Sequence, residues 1–348
     1  MPLSLTVDGD RWRAHLRAVE AAHPGLVPVV KGNGYGLGLA RLARRVEWLG
    51  ADTVAVGTYD EVAEVVQRCT ADVLVLSPWR PFIPSSAYHG SAARRLVHTV
   101  GRLEDLAALA GEHDSGGAPR VVLEGLTSMR RHGLAPEDLA AAARVTGVRV
   151  QGLALHLPMA GDRVAEAERW LRAWPASEAA STVYVSHLSD TELAELGARH
   201  PRLRLRPRIG TRLWLGDRLG FEVRASVLDA HPVARGDRAG YRQRRFTRDG
   251  HLLVIAGGTS HGIGLAAPAS GVSARNRAAT LARGGLDAAG FALSPFVVAG
   301  RQRWFLEPPH MQVSMVFLPG SVAPPAVGDE VMAQVRYPTT TFDRITIT

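Results

Sequence analysis

Short apolar runs recur through the first two-thirds of the chain, and segments with helical periodicity separate them. The runs are rich in Val and Leu and short, as expected for strands that are buried on both faces. They are LVPVV (26–30), TVAVG (53–57), VLVLS (73–77), LVHTV (96–100), VVLE (121–124), VQGLALHL (150–157), VYVSHL (183–188) and LRLRPR (203–208). Eight strands that alternate with helices predict an α/β fold, a (β/α)8 barrel. A doubly wound sheet is the second interpretation, but no GxGxxG opens a helix after the first run.

The pattern changes near residue 222. Helical periodicity fades there, and the β-type segments HLLVIAG, PFVVAGRQRWFL, MQVSMVFLP and DEVMAQV are separated by Gly and Pro turns. We therefore predict a barrel at 1–221 and a β-rich domain at 222–348, with the first few residues as a candidate strand of the β domain. One short helix is predicted within 269–285.

Composition excludes several classes of protein. The apolar fraction of 46% and the charged fraction of 21% are those of an ordinary globular protein, and no apolar run is long enough to span a membrane. The start MPLSLTVDGD lacks the features of a secretory signal, so we expect a cytoplasmic protein. The single cysteine, Cys69, excludes internal disulfides, and we predict no metal site.

The net charge of +8 does not indicate nucleic-acid binding. Basic residues are spread along the whole chain, and no helix-turn-helix, zinc-finger or aromatic RNA-binding motif accompanies them. The basic residues are strongly biased towards arginine, and Lys31 is the only lysine among the 41. An arginine cannot replace a lysine where a primary amine must form an imine, so Lys31 is the strongest candidate for covalent chemistry.

Polar residues mark the ends of several predicted strands. Glu124 ends the fifth, His156 lies near the end of the sixth and Ser189 follows the seventh, while Arg208 and Gly210 lie at or after the eighth. In a barrel, catalytic groups lie at the carboxyl ends of the strands, and phosphate sites lie in the last two loops. Lys31 follows the first strand, so it belongs to the same end.

The segment VVKGNGYGLG (29–38) resembles the cofactor-lysine motif of alanine racemases, a family of fold-type III pyridoxal-phosphate enzymes. Further similar segments follow in the same order along nearly the whole chain: TSMRRHG (127–133), ALHLPMAGD (154–162), RIGTRLW (208–214), AGYRQRRF (239–246), GGTSHG (257–262) and HMQVSM (310–315).

The resemblance implies that pyridoxal 5'-phosphate is the cofactor and that Lys31 both carries it and acts as one catalytic base. Tyr35 is implied to contact the cofactor phosphate, together with the backbone amides of Gly210 and Thr211. Ser189 is the candidate hydroxyl for the same phosphate, although it aligns one position away from the family's serine.

The remaining roles that the resemblance implies concern the cofactor ring and the substrate. His156 would pack beside the pyridine ring and hydrogen-bond to Arg208, which would face the ring nitrogen. Arg131 would lie near the substrate carboxylate. Tyr241 would be the second base and Met311 would line the pocket, both from a partner subunit. A homodimer with composite active sites follows from those last two roles.

Some positions depart from the family pattern. Glu124 falls where many members have a carbamylated lysine, and a carboxylate there could supply the same negative charge permanently. Thr259 replaces a tyrosine at the substrate entrance, and Asp190 would repel phosphate. The final residues FDRITIT come before the family's tail tyrosine, which predicts weaker cofactor binding.

The leading hypothesis is thus an amino-acid racemase, with alanine as the first substrate to consider. The alternatives are a catalytically altered or inactive homologue and a related enzyme that acts on a different amino acid. A decarboxylase of the same fold type is disfavoured because the paired Cys and Asp motif is missing. A cofactor carrier without turnover is disfavoured because such relatives usually lack a β domain.

Overall fold

The computed structural model describes residues 2–83, 91–111, 117–175, 177, 180–265 and 292–348. Contacts divide the chain into two compact units. The barrel unit consists of residues 14–216, and the β unit consists of residues 1–13 and 217–348. The short helix that the sequence predicts within 269–285 lies outside the described residues.

Strand β1 (Leu3–Val7) belongs to the β unit, and the next eight strands form a closed parallel barrel. These are β2 (Val27–Val30), β3 (Thr53–Val56), β4 (Asp72–Val75), β5 (Leu96–Val100), β6 (Arg120–Gly125), β7 (Arg149–His156), β8 (Thr182–Ser186) and β9 (Arg204–Ile209). Each strand pairs with the next, and β9 closes the barrel on β2 through Arg208 opposite Val27. Every apolar run that predicts a strand forms one of them, so the predicted fold class is confirmed.

The α-helices of the described residues precede, separate and follow these barrel strands along the chain. They are α1 (Gly9–Ala22), α2 (Leu39–Leu49), α3 (Val62–Val66), α4 (Ser91–Arg95), α5 (Leu103–Gly111), α6 (Leu139–Ala142), α7 (Arg163–Ala173), α8 (Asp190–Arg199) and α9 (Thr211–Leu215). Helix α2 shows why such segments are helical. Its buried residues Leu42, Val46 and Leu49 recur at three- and four-residue spacing, and it ends at Gly50 in the left-handed conformation.

The barrel interior is a packed core. Alternate residues of each strand point inward, as Val27 and Val29 do on β2, and they meet small residues such as Ala55 and Ala154 from other strands. Tyr184 completes this buried cluster. Because the interior is filled, polar chemistry is confined to the strand ends.

The β unit is built on an eight-stranded sheet. Its further strands are β10 (Phe221–Val233), β11 (Arg238–Ala239), β12 (Arg244–Arg245), β13 (Gly250–Ala256), β14 (Leu293–Val298), β15 (Arg301–Trp304), β16 (Val313–Pro319), β17 (Glu330–Ala333) and β18 (Arg344–Ile347), of which β11 and β12 form a separate pair. Strand β1 pairs antiparallel with β10 and parallel with β18. Leu3, Leu5 and Val7 alternate on its buried face.

None of the helices in the described part of the chain combines the length and the apolar character that crossing a membrane requires.

Candidate active site

Lys31 directly follows β2 and begins a tight glycine-rich turn. The amide of Gly34 donates to the Lys31 carbonyl over 3.1 Å, and the Asn33 side chain accepts from the Gly36 amide over 3.1 Å. Tyr35 has a φ of 55°, which is uncommon for a residue with a side chain and marks a constrained turn. The turn therefore fixes the backbone on both sides of the lysine while its side chain stays accessible to solvent.

Glu61 holds the turn at Lys31 against the neighbouring strand end. Its carboxylate accepts from the Gly32 amide at 2.6 Å and from the Gly57 amide at 2.6 Å. A side chain at Gly57 would place its Cβ 3.1 Å from the Cβ of Lys31, so the ends of β2 and β3 are close together here. Glu61 thus joins the turns that follow these two strands.

The surroundings of Lys31 favour the neutral amine. Removal of the amine from water lowers its pKa, and the positive charges of Arg131 and Arg208 lower it further. The negative charge of Glu61 acts in the opposite direction. The net lowering moves Lys31 towards the state in which an amine can act as a nucleophile or base.

Arg208 and Glu124 are two buried ionisable residues at the strand ends. Arg208 donates from Nη2 to the Leu155 carbonyl over 3.0 Å. Its Nε and the Oε2 of Glu124 are both buried and find no hydrogen-bond partner among the described residues. Buried polar atoms without partners are rare, and at a strand end they indicate a place for a bound group.

Glu124 does not supply the permanent charge that the sequence pattern suggested. It is only 3% exposed, and its burial raises its pKa to about 7, although Arg208, Arg131 and Arg80 oppose the shift. A carboxyl group with that pKa is ionised only in part at neutral pH.

His156 lies at the end of β7 as a neutral ring. Burial and the charges of Arg208 and Arg131 lower its pKa to about 3. Its Nδ1 lies 2.9 Å from the hydroxyl of Ser186. The resemblance implied a hydrogen bond from His156 to Arg208, but the described contacts instead join His156 to Ser186 and Arg208 to the Leu155 carbonyl. The bond between His156 and Arg208 stays a prediction for the protein with cofactor bound.

His187 stands beside His156, with ring centroids 4.8 Å apart. It follows β8 with a φ of 65°, and its Nδ1 lies 2.7 Å from the Leu157 carbonyl. Because a carbonyl oxygen only accepts, Nδ1 carries a hydrogen and the ring orientation is fixed. The left-handed backbone at a histidine next to the site is a further sign of functional constraint.

The loop after β6 carries Arg131. Thr127 donates to the His156 carbonyl over 2.6 Å, and Ser128 donates from its hydroxyl to Glu166 over 2.7 Å. These bonds attach the loop to β7 and to α7. Arg131 is close enough to lower the pKa of both Lys31 and His156, so it belongs electrostatically to the same cluster.

Tyr35 and Gly210 meet at the opposite side of the Lys31 turn. A Cβ at position 210 would overlap the Tyr35 hydroxyl and would lie 2.8 Å from Tyr35 Cζ. Tyr35 is buried, and its burial raises its pKa, so its hydroxyl remains protonated. Thr211 follows as the first residue of α9. The glycine thus gives the tyrosine hydroxyl room beside the backbone of 210–211.

Ser189 caps helix α8. Its Oγ accepts from the Glu192 amide and lies 2.8 Å from the Glu192 carboxylate, which in turn accepts from the Ser189 amide. This is a capping box. The hydroxyl also lies 3.1 Å from the hydroxyl of Thr191. Ser189 is therefore already hydrogen-bonded within its own helix terminus.

Tyr241 and Met311 belong to the β unit. Their side chains are 87% and 65% exposed, so neither is packed into the core of its own unit. The backbone of Tyr241 donates to the buried Glu307 over 3.1 Å, and its ring lies 4.6 Å from the ring of His310. Glu307 also bonds to His310 at 2.7 Å. Glu307 therefore anchors the loop of Tyr241 while the phenol faces solvent.

Comparison with known proteins identifies the family. Residues 7–207 match the family model described as the alanine racemase N-terminal domain. The chain belongs to the alanine racemase family. Alanine racemase of Nitratidesulfovibrio vulgaris is 27% identical over 279 residues, which cover 71% of this chain and 72% of that protein.

Solved structures share the fold of this family member at low identity. Alanine racemase from Bartonella henselae with covalently bound pyridoxal phosphate is similar with a TM-score of 0.70 at 17% identity, over 97% of this chain and 91% of that one. Histidine racemase from Leuconostoc mesenteroides has a TM-score of 0.67 at 18% identity, over 100% of this chain and 97% of that one. The predicted family is confirmed, and with it the class, an amino-acid racemase that uses pyridoxal 5'-phosphate.

The residues of this alanine racemase family member fit that cofactor. An accessible primary amine with a lowered pKa stands at the end of β2. The buried Nε of Arg208 has no hydrogen-bond partner among the described residues, which leaves it free to bind the ring nitrogen of the cofactor. The space between Tyr35 and Gly210 would be filled by any side chain at 210.

Three residues that contact the candidate residues or their loops were missed from the sequence. Glu61 could have been found, because Thr58 and Glu61 have the spacing of a capping box directly after a strand. His187 and Glu307 had no such signal. The left-handed backbone of His187 and the burial of Glu307 arise from tertiary packing, which no local pattern encodes.

Proposed function

We propose that this protein interconverts the two enantiomers of an amino acid by removing the α-proton from one face and returning it to the other. One observation carries the proposal. The only lysine in the chain has a lowered pKa at a strand end of the barrel, beside Arg208, Arg131 and the neutral ring of His156.

Lys31 is proposed to bind the cofactor covalently and then to act as the base for one face of the α-carbon. Pyridoxal phosphate, when bound, withdraws electrons from the α-carbon and so makes its proton removable. Arg208 would face the ring nitrogen and, because a guanidinium stays protonated itself, would leave that nitrogen without a proton. His156, a neutral ring with a pKa of about 3, would pack beside the cofactor ring without adding charge.

The cofactor phosphate is assigned to the last two loops of the barrel and the Lys31 turn. Its proposed donors are the Tyr35 hydroxyl and the amides of Gly210 and Thr211. The Tyr35 hydroxyl lies against the backbone of Gly210, so these donors are close together. Ser189 begins the neighbouring loop and is the remaining candidate, although its hydroxyl already serves the α8 cap.

Tyr241 is proposed as the second base and is supplied by the partner subunit of a homodimer. Its exposed phenol suits a residue that acts in a neighbouring subunit, and Met311 is exposed in the same unit. Arg131 is proposed to bind the substrate carboxylate with its positive charge. A base on each face is what racemisation requires.

Alanine is the first proposed substrate, because the similar sequences are alanine racemases. The similar Leuconostoc fold belongs to a histidine racemase, so larger amino acids are also tested. A catalytically altered or inactive homologue is the alternative, on the basis of the changed residues Glu124 and Thr259.

The test is exchange of the α-hydrogen in deuterated water. Protein loaded with pyridoxal phosphate is incubated with each amino acid in turn, and mass spectrometry follows deuterium uptake and the appearance of the opposite enantiomer. We expect both for at least one amino acid, and we expect Lys31→Ala to abolish them together with the visible absorbance of bound cofactor. Lys31→Arg is the matched control, because it keeps the charge and removes the primary amine.

If the loaded wild-type protein exchanges the α-hydrogen of no amino acid, the racemase proposal is wrong. If exchange occurs in Lys31→Arg at the wild-type rate, the role of Lys31 is wrong.

A further inference from the structure

An acidic residue lies beside the proposed phosphate site, where it ought to weaken binding. Asp190 is the first residue of α8 and adjoins Ser189, and a carboxylate near a phosphate group repels it. The described contacts of Asp190 show how that repulsion is countered.

The Asp190 carboxylate is paired with a cation from the neighbouring loop. Its Oδ1 accepts from Arg212 Nη2 over 2.7 Å and lies 2.9 Å from His23 Nε2. Both partners lower the pKa of Asp190, so the pair consists of a carboxylate and a guanidinium. Arg212 is the second residue of α9 and directly follows Gly210 and Thr211.

The ring of His23 lies beside the pair of Asp190 and Arg212. It is 3% exposed, and its Nδ1 lies 2.7 Å from the Val19 carbonyl, so Nδ1 carries a hydrogen. Its Nε2 lies 2.9 Å from Asp190 Oδ1 and 2.5 Å from Arg212 Nη2, so the ring contacts both members of the pair. The buried ring thus helps to hold the guanidinium in place.

The backbone around Arg212 is also held. The Arg212 carbonyl lies 2.9 Å from His15 Nε2, and Trp214 donates from its indole to the Val29 carbonyl over 2.7 Å. Val29 lies on β2, the strand that Lys31 directly follows. The loop with Gly210 is therefore anchored to β2 on one side and, through Arg212, to the loop with Ser189 on the other.

We propose that Arg212 is a positioning residue for the cofactor phosphate, which it serves by neutralising Asp190 and joining the two phosphate loops. The inference rests on the proposed function, since it assigns the phosphate to those loops. Arg212 acts through Asp190 and is assigned no contact with the cofactor. Without Arg212, the carboxylate of Asp190 would stand beside the phosphate without a compensating charge.

The test compares the binding of pyridoxal phosphate and of pyridoxal, which lacks the phosphate, to cofactor-free protein. Visible absorbance and quenching of tryptophan fluorescence give the two Kd values. We expect Arg212→Gln to raise the Kd of pyridoxal phosphate about three- to tenfold, as for loss of an exposed charge pair with added repulsion. The Kd of pyridoxal should change by less than about twofold, because no phosphate is present to be repelled.

A second substitution separates neutralisation from general damage. Asp190→Asn removes the charge that needs compensation, so D190N/R212Q should bind pyridoxal phosphate more tightly than R212Q. Arg212→Lys keeps the charge and should stay within about twofold of the wild type. Thermal unfolding of each cofactor-free variant checks the fold. If R212Q does not fold, the single variants R212K and D190N are compared with the wild type instead.

The matched control is Arg172→Gln, which breaks an exposed pair with Glu168 at 3.0 Å on α7. It should change neither Kd. The inference is wrong if R212Q leaves the Kd of pyridoxal phosphate unchanged, if it weakens both ligands equally, or if D190N brings no recovery. It is also wrong if R212K weakens pyridoxal phosphate as strongly as R212Q. If the wild-type protein binds no pyridoxal phosphate, the proposed function itself fails.

Discussion

Glu124 carries a pH dependence that follows from its burial. Its ordinary pKa of 4.5 is raised to about 7 in the fold. Between pH 4.5 and about pH 7, the folded protein therefore keeps a proton on Glu124 that the unfolded chain has lost. The resulting stabilisation is fully present below pH 4.5 and is lost as the pH rises through 7.

Glu124→Gln should remove this dependence, because the amide keeps the shape of a protonated carboxyl group and does not ionise. Relative to the wild type, the variant should become more stable as the pH rises from 5 to 8, by about 3 kcal/mol at most. Urea unfolding of the cofactor-free proteins across this range measures the difference. Exposed Glu137→Gln is the control, and equal pH profiles for E124Q and the wild type would contradict the assignment.

The loop between β9 and α9 depends on the absence of a side chain at 210. In Gly210→Ala, the new Cβ must displace the Tyr35 hydroxyl, which we assign to the cofactor phosphate. We expect a loss of about 1–3 kcal/mol in the free energy of unfolding and weaker binding of pyridoxal phosphate. Urea unfolding and absorbance titration measure the two effects.

Two variants make the Gly210 prediction specific. Gly197→Ala lies within α8, where the nearest atom to a new Cβ is 3.9 Å away, so it should be neutral or stabilising. In a Tyr35→Phe background, Gly210→Ala should cost less stability because the overlapping hydroxyl is gone. An equal cost in both backgrounds would show that the Tyr35 contact is not the cause.

The barrel strands were predictable because each is a short apolar run bounded by polar turns. Val27–Val30 and Thr182–Ser186 begin and end within two residues of the predicted runs, since strands buried on both faces leave a continuous signal. Strand β1 has weaker evidence in the sequence. Its alternating Leu3, Leu5 and Val7 do not reveal that the partners are β10 and β18, more than two hundred residues away.

The candidate site was predictable only in part, for a physical reason. Lys31, His156 and Arg208 could be placed at strand ends from the spacing of the runs, because a parallel barrel brings those ends together. The sequence does not show in which direction each of these side chains points. Glu124 and Arg208 show this. The burial that raises the pKa of Glu124, and that leaves an atom of each side chain without a partner in the described part of the chain, is not visible in the sequence pattern.

At the scale of the whole molecule, the proposed mechanism needs two chains. Lys31 lies in the barrel unit and Tyr241 in the β unit, and the proposed dimer combines Lys31 of one subunit with the partner's Tyr241 at each active site. Lys31→Ala and Tyr241→Phe homodimers should then be nearly inactive, because every site in each lacks one base. A heterodimer of the two variants contains one site with both bases intact.

Co-expression of K31A and Y241F chains should therefore restore activity to about a quarter of the wild type, since random pairing makes half of the dimers heterodimers with one active site each. Racemisation of the substrate found in the exchange screen measures this, with sedimentation to confirm dimers. Co-expression of K31A with K31A/Y241F is the control and should restore nothing, because no site in that mixture contains Lys31. Heterodimers without recovered activity, or a fully active monomer, would place both bases in one chain and refute the composite site.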